Sequence, residues 1–304
     1  MEIDLVYLWV NGNDPKWLHK KEHYLNQKID IRGRYEDNQE LKYALRSVYK
    51  HLPWIRKIFI LTDNQVPPFL NTNHPKIKIV DHTEVMPKEI LPNFNSSVIE
   101  NFIYKIPGLS EHYLYSNDDM FVHADLDPSF FFRDGLPIKR MVYDPLTKQK
   151  INLKRFFNFN INTHRLSIEN AYTLFKKHFN HYYPIKPHHN IDAFLKSDYK
   201  AVVEEVFKSE ITPTFMNRFR HKSDIQRILV DYYALAKKRG ILTYPNRSES
   251  CRLKVHKTNY QRKIDRYKPK LFCLNDSEHA TDQHRAQIEP FLKNLFPEKA
   301  EFEL

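Results

Sequence analysis

At 304 residues, with 41% hydrophobic and 14% aromatic side chains, the chain is long enough to bury a core and too apolar to be disordered. Only 5 residues are glycine, and neither G-x-G-x-x-G nor a Walker A pattern occurs. A glycine-rich phosphate loop is therefore excluded, and bound phosphates would have to be held by side chains and helix ends. A formal net charge of +11 fits a basic soluble protein, nucleic acid, an anionic membrane surface or phosphorylated substrates, and charge alone does not choose among them.

The N-terminus runs straight into an apolar segment that Asp4 and Asn11 interrupt, with no basic region ahead of it. It is a poor signal peptide, and no uninterrupted run approaches the ~20 apolar residues that span a bilayer. The two cysteines, Cys251 and Cys273, lack zinc spacing and are too few for a disulfide framework. A cytoplasmic protein is expected, able to rest on the inner membrane face through its basic surface.

Leu5 to Val10 reads as a buried strand ending in the turn Asn11-Gly12-Asn13-Asp14-Pro15. Asp37 to Lys50 reads as a helix, with Leu41, Ala44, Leu45 and Val48 in one stripe and Asp37 and Glu40 spaced as a capping box. Lys57 to Leu61 is a strand followed by Asp63, Asn64 and Gln65. Ile77 to Val80 is another, Ser96 to Tyr104 is helical, and Tyr113 to Tyr115 is a strand that stops at Asn117-Asp118-Asp119. Alternating strands and helices predict an α/β fold with a mostly parallel sheet flanked by helices. Three polar clusters then fall at strand C-termini, where such sheets bind ligands.

The region from about 125 to 215 reads as a less regular, partly helical insertion within one domain spanning 1–304. Ser223 to Arg239 reads as a helix capped by Ser223, with Gln226 completing the box and Gly240 ending it. Ile288, Phe291, Leu292 and Leu295 form the stripe of the last helix.

Four constellations could carry chemistry. Asp118 and Asp119 offer charged oxygens to a divalent cation, or else make a solvated turn. His188 and His189, with Asp192 nearby, could take a proton near neutral pH, or be a surface pair. Arg218, Arg220 and His221 precede the predicted helix at Ser223 and could grip phosphate there, or form a basic turn. Asn275-Asp276 follows the apolar run Leu271 to Leu274 and could add an oxygen ligand, or cap a helix.

Together these segments resemble the Stealth family of polysaccharide phosphotransferases. Residues 4–15 (DLVYLWVNGNDP) look like its first conserved region. Residues 34–47 (RYEDNQELKYALRS), 51–54 (HLPW), 62–67 (TDNQVP) and 115–119 (YSNDD) look like the second. Residues 187–190 (PHHN) and 220–226 (RHKSDIQ) look like the third, and 272–276 (FCLND) like the fourth. The family's usual His-x-Pro is His188-His189-Asn190 here; His188 is the favoured match and His189 the alternative.

The resemblance implies a glycosyltransferase-A-like sheet, a UDP-sugar donor, an oligosaccharide or polysaccharide acceptor and a divalent cation, Mg²⁺ or Mn²⁺. It implies transfer of a sugar-1-phosphate to a hydroxyl with release of UMP. Asp119, His188 and Arg220 would be catalytic, and Asp118, Asp119, Asn275 and Asp276 would hold the metal. Asn11, Gly12, Asp14, Arg34, Asp37, Asn38, Asp63, Gln65, Ser96 and Asn117 would bind substrate. The alternatives are a conventional metal-dependent glycosyltransferase releasing UDP, and a basic RNA-binding protein. The second would need an exposed aromatic platform, whereas the aromatics here fall on core-like stripes.

Overall fold

The structure is a computed structural model that describes residues 1–25, 35, 37–146, 149, 153, 156, 157 and 161–304. Strand β1 (Ile3–Leu8) lies at the centre of a five-stranded sheet, between β2 (Ile58–Thr62) and β4 (His112–Asn117). Beyond β2 lies β3 (Ile77–Asp81), and β9 (Asp192–Leu195) closes the other edge, giving the order β3-β2-β1-β4-β9. The first four strands are mutually parallel and β9 runs antiparallel to β4. All five residues of β2 are buried, as expected of a parallel strand covered on both faces.

Strand order reverses between β1 and β4, where Leu8 pairs with Asn117. Such a reversal opens a crevice beyond the strand C-termini. The chain leaves β4 through Asp118 and Asp119 and enters β5 (Met120–Val122), which belongs to a second sheet with β11 (Ser250–Lys254) and β12 (Leu271–Asn275). The backbone N–H of Leu274 donates to the Asp119 carbonyl at 2.8 Å. The acidic turn is therefore clamped between two sheets. A third sheet joins β6 (Phe132–Arg133), β7 (Leu136–Tyr143), β8 (Ile185–Pro187) and β10 (Ile241–Thr243).

One apolar core packs Leu5 and Tyr7 of β1 against α2 (Glu40–His51), the second sheet and the helix Ile288–Leu295. The other packs Val6 and Tyr115 against the helices Thr163–Phe179 and Ile228–Ala236. Each fully buried Leu or Phe contributes roughly 1.5–3 kcal/mol. Asp4, wholly buried in β1, is satisfied by Arg56 Nε at 2.9 Å and the Ser110 N–H at 2.7 Å.

Two predicted helix starts are corrected. Helix α2 begins at Glu40, after Gln39 in the left-handed region (φ 69°). Asp37 accepts from the Gln39 N–H and Glu40 from the Asn38 N–H, so both carboxylates fix the turn ahead of the helix. The helix predicted from Ser223 begins at Ile228. Asp224 is buried and holds the preceding loop through Asn95 Nδ2 at 2.9 Å, Asn217 Nδ2 at 2.7 Å and the His221 N–H at 2.8 Å. Those bonds outweigh local capping. The region from 125 to 215 includes the 17-residue helix Thr163–Phe179 and supplies β9 to the central sheet.

A candidate active site between an acidic turn and a cationic wall

A cleft of about 950 Å³ opens at the C-terminal ends of β1 and β4. Asn117, Asp118, Asp119, His188, His189, Arg220, Ser96, Asn275 and Asp276 all line it. The residues that the sequence singles out as catalytic or metal-binding thus converge from chain segments far apart.

The acidic side begins with Asp118 and Asp119. Burial raises the Asp118 carboxyl well above the usual carboxylate range, and repulsion from Glu40, Asp119 and Asp37 adds to it. Glu40, at the head of α2, is pushed up to about 7, chiefly by burial. Asp119 Oδ2 lies 3.1 Å from His189 Nε2, while Oδ1 is buried with no hydrogen-bond partner among the described residues. Crowded carboxylates and a buried, unpaired carboxylate oxygen suit a hard cation, which prefers several charged oxygens. Among the described residues no group of three or more His, Cys, Asp or Glu side chains is already arranged as a metal site.

Asn275 and Asp276 end β12 on the same rim. The Asn275 amide oxygen accepts from Arg252, and Asp276 is held by Arg285 Nε at 2.7 Å and the Ser277 N–H at 2.6 Å. Both side chains are engaged with protein partners in this arrangement.

The cationic side comes from β8 and the loop before the helix Ile228–Ala236. His188 is half-buried, with Nδ1 3.5 Å from Ser250 Oγ. Burial, reinforced by His189, Arg140 and Arg252, pulls it down to about 4. Arg220 donates through Nη2 to Ser96 Oγ at 3.2 Å. Because the downstream helix begins at Ile228, Arg220 does not stand beside that helix N-terminus as expected; its neighbour is Ser96, first residue of the short helix Ser96–Ile99. Arg165, Lys186, Arg227 and Arg252, which the sequence did not single out, add to this wall.

A third wall is aromatic, and no local sequence pattern points to it. Trp17 packs on Tyr35 with ring centres 5.2 Å apart and on Phe94 at 5.4 Å, and Phe94 stacks on Phe219 at 5.1 Å. Trp9 and His82 complete it. The indole N–H groups of Trp9 and Trp17 and both ring nitrogens of His82 are buried without hydrogen-bond partners among the described residues. Burial draws His82 down to about 4, so its ring is neutral at neutral pH.

Asn11, Gly12, Asp14, Asp37, Asn38, Asp63 and Gln65 are not part of the cleft lining. They brace the loops behind it. Gln65 accepts from the Asn11 N–H at 2.8 Å and donates to the Asn11 carbonyl and Asp14 Oδ2, each at 3.0 Å. Asp14 caps α1 (Pro15–Tyr24), which carries Trp17. Asp63 pairs with Lys20 of α1 at 2.8 Å. A Cβ on Gly12 would lie 1.7 Å from the Tyr35 carbonyl oxygen, so glycine is required where these two backbones meet. Arg34 lies outside the described residues.

The chain is similar to known proteins along most of its length. Family models described as Stealth protein conserved regions 1, 2 and 4 match residues 1–29, 34–139 and 262–304. The capsular polysaccharide phosphotransferase fcs1 of Haemophilus influenzae is 35% identical over 302 residues, covering 92% of this chain and 79% of that protein. The exopolysaccharide phosphotransferase cps2G of Lactiplantibacillus plantarum is 31% identical over 331 residues, covering 99% and 96%. Among solved structures, the galactosyltransferase LgtC bound to donor and acceptor sugar analogues superposes over 97% of this chain and 95% of its own, at 12% identity and a TM-score of 0.48. The chain belongs to the Stealth family and is an enzyme.

Proposed function

We propose that the enzyme transfers a sugar-1-phosphate, an N-acetylhexosamine- or hexose-1-phosphate, from a UDP-sugar to a hydroxyl of an oligosaccharide or polysaccharide acceptor. The products are a phosphodiester and UMP, and the setting is capsule or cell-surface polysaccharide synthesis. The observation that carries this reading is the shared cleft of Asp119, the histidine pair and Arg220, with carboxylates facing guanidinium groups. The relatives' names, capsular and exopolysaccharide phosphotransferase, support it.

In this reading the acceptor oxygen attacks the phosphorus that bears the sugar. The bond from that phosphorus to the bridging oxygen breaks, and UMP leaves with the electron pair. Little covalent work falls to the protein, so positioning and charge neutralisation dominate. Arg220 grips the phosphate and offsets the charge that builds on the departing oxygen. One histidine removes the acceptor proton. His188, favoured by the sequence pattern, is a weak proton acceptor because burial draws it to about 4. His189 is oriented by Asp119 and is the better-supported base. A divalent cation, Mg²⁺ or Mn²⁺, would sit on Asp118 and Asp119, with the Asn275–Asp276 rim beside it, and would supply charge neutralisation for the diphosphate. The aromatic wall suits the uracil ring, a planar group whose edges could meet the unpaired Trp and His82 nitrogens.

Among the described residues no helix is long and apolar enough to cross a membrane. We place the reaction on the cytoplasmic side, with the basic surface facing anionic lipid. The deciding experiment incubates purified protein and acceptor with a panel of UDP-sugars, with Mg²⁺ or Mn²⁺, and identifies the released nucleotide. UMP is expected; UDP would show transfer at the anomeric carbon instead.

A further inference from the structure

Beneath the cleft, residues from several of its segments meet on one buried guanidinium, that of Arg227. Arg227 donates to Asp192 Oδ2 at 2.5 Å and pairs with Glu100 Oε2 at 3.6 Å, and these three side chains are only 9%, 11% and 9% exposed. Its guanidinium also covers the Tyr115 ring, 4.7 Å from the centre. The Tyr115 hydroxyl lies 3.1 Å from Glu100 Oε1 and 2.8 Å from Asn117 Oδ1. Tyr115 and Asp192 are direct partners across β4 and β9.

Each partner roots a different wall of the cleft. Tyr115 sits four residues before Asp119. Asp192 sits three residues after His189. Glu100 sits four residues after Ser96, whose hydroxyl accepts from Arg220. Arg227 itself ends the loop that carries Arg220. A planar, forked cation with five donors can hold two carboxylates and a ring face at once in fixed directions, which a lysine ammonium cannot. A pair buried this deeply is a weak source of net stability, since desolvation offsets most of its attraction.

We infer that Arg227 is a positioning residue that sets the spacing between the Asp119 turn, the His188–His189 segment and the Ser96 helix. The inference rests on the transfer reaction proposed above, in which those walls must meet around one phosphate. Misplacing reacting groups by about 1 Å can cost on the order of a hundredfold in rate without loosening substrate binding.

The test compares wild type with Arg227→Lys and, in parallel, Tyr115→Phe, which keeps the ring and removes one hydroxyl. Three quantities are read: kcat and KM for the UDP-sugar that wild type uses, UMP affinity by calorimetry, and the His189 ring-nitrogen NMR signals. For Arg227→Lys, kcat should fall about a hundredfold with KM and UMP affinity within about twofold, and the His189 signals should shift. Tyr115→Phe should show the same pattern, weaker, at about tenfold, and it decides the matter should Arg227→Lys not fold. Wild-type kcat with unmoved His189 signals in the folded variants overturns the inference. So does a loss confined to UMP affinity. If wild type releases UDP, the transfer reading fails, while the His189 signals still decide the role of Arg227.

Discussion

His189 Nε2 stands 3.1 Å from Asp119 Oδ2, joining two segments 70 residues apart in sequence in the lining of the cleft. A carboxylate that holds an imidazole fixes its tautomer and leaves the other ring nitrogen to exchange protons. His189→Ala should lower kcat by about 10²- to 10⁴-fold, the span of general base catalysis. Asp119→Asn should cost at least as much, because Asp119 is also a proposed ligand of the divalent cation. His188→Ala should cost clearly less. UMP release at saturating donor measures all three. Equal losses for both histidines would mean that the Asp119 contact does not select the base.

The carboxylates around Asp118 make a second prediction. Without a cation, burial and three neighbouring acids hold the Asp118 carboxyl protonated well above its ordinary range. A divalent ion would replace that proton, so binding should release protons and weaken as pH falls. Calorimetric titration of Mn²⁺ in two buffers of different ionisation enthalpy should reveal this release, and Asp118→Asn should abolish it. Chelation with EDTA should stop transfer, and added Mn²⁺ or Mg²⁺ should restore it. Full activity in EDTA would remove the cation from the reaction.

Gly12 gives a third. Any Cβ there meets the Tyr35 carbonyl at 1.7 Å, a backbone contact that no rotamer relieves. Gly12→Ala must push Tyr35 away, and Tyr35 packs on Trp17 and donates its hydroxyl to the Phe94 carbonyl at 2.9 Å. Overpacking of this kind costs roughly 1–3 kcal/mol. UMP affinity should fall at least about tenfold if the aromatic wall seats the base, and the melting temperature should drop by several degrees. A normal melting temperature with normal UMP binding would show that the loop has room to move.

How much of this was legible in the sequence follows from how local each signal is. β1, β2 and β4 announce themselves as short apolar runs ending in Asn and Asp, because a strand buried on both faces must be apolar and its exit into a crevice must be polar. Asp118 and Asp119 were visible for that reason. The spacing of Ser223 and Gln226 predicts a helix start at Ser223, while the deciding bond, from Asn95 to Asp224, spans 129 residues. The aromatic wall was invisible for the same cause: Trp9 reads as the end of a core strand, and Trp17, His82 and Phe94 come together only in three dimensions. Gln65 and Asp14 have the residue types of a ligand site, yet their side chains are bound to each other.

His82 supplies the last prediction, one of stability. Its ring is 1% exposed, faces Asp63, Asp81 and Lys20, and titrates at about 4 against 6.5 in the unfolded chain; burial dominates over the two carboxylates that oppose it. Above pH 6.5 the ring is neutral in both states and contributes nothing to the pH dependence. As pH falls from 6.5 towards 4, the unfolded chain takes up a proton that the folded chain refuses, so stability declines. Below about 4 both states are protonated and the loss levels off at roughly 3 kcal/mol. His82→Asn removes this titration. Urea unfolding at pH 7, 5.5 and 4 should therefore give a steeper acid loss for wild type than for the variant, with the difference growing through that window. Parallel losses for the two proteins would mean that His82 is protonated in the folded state, with Asp63 or Asp81 as the counter-charge.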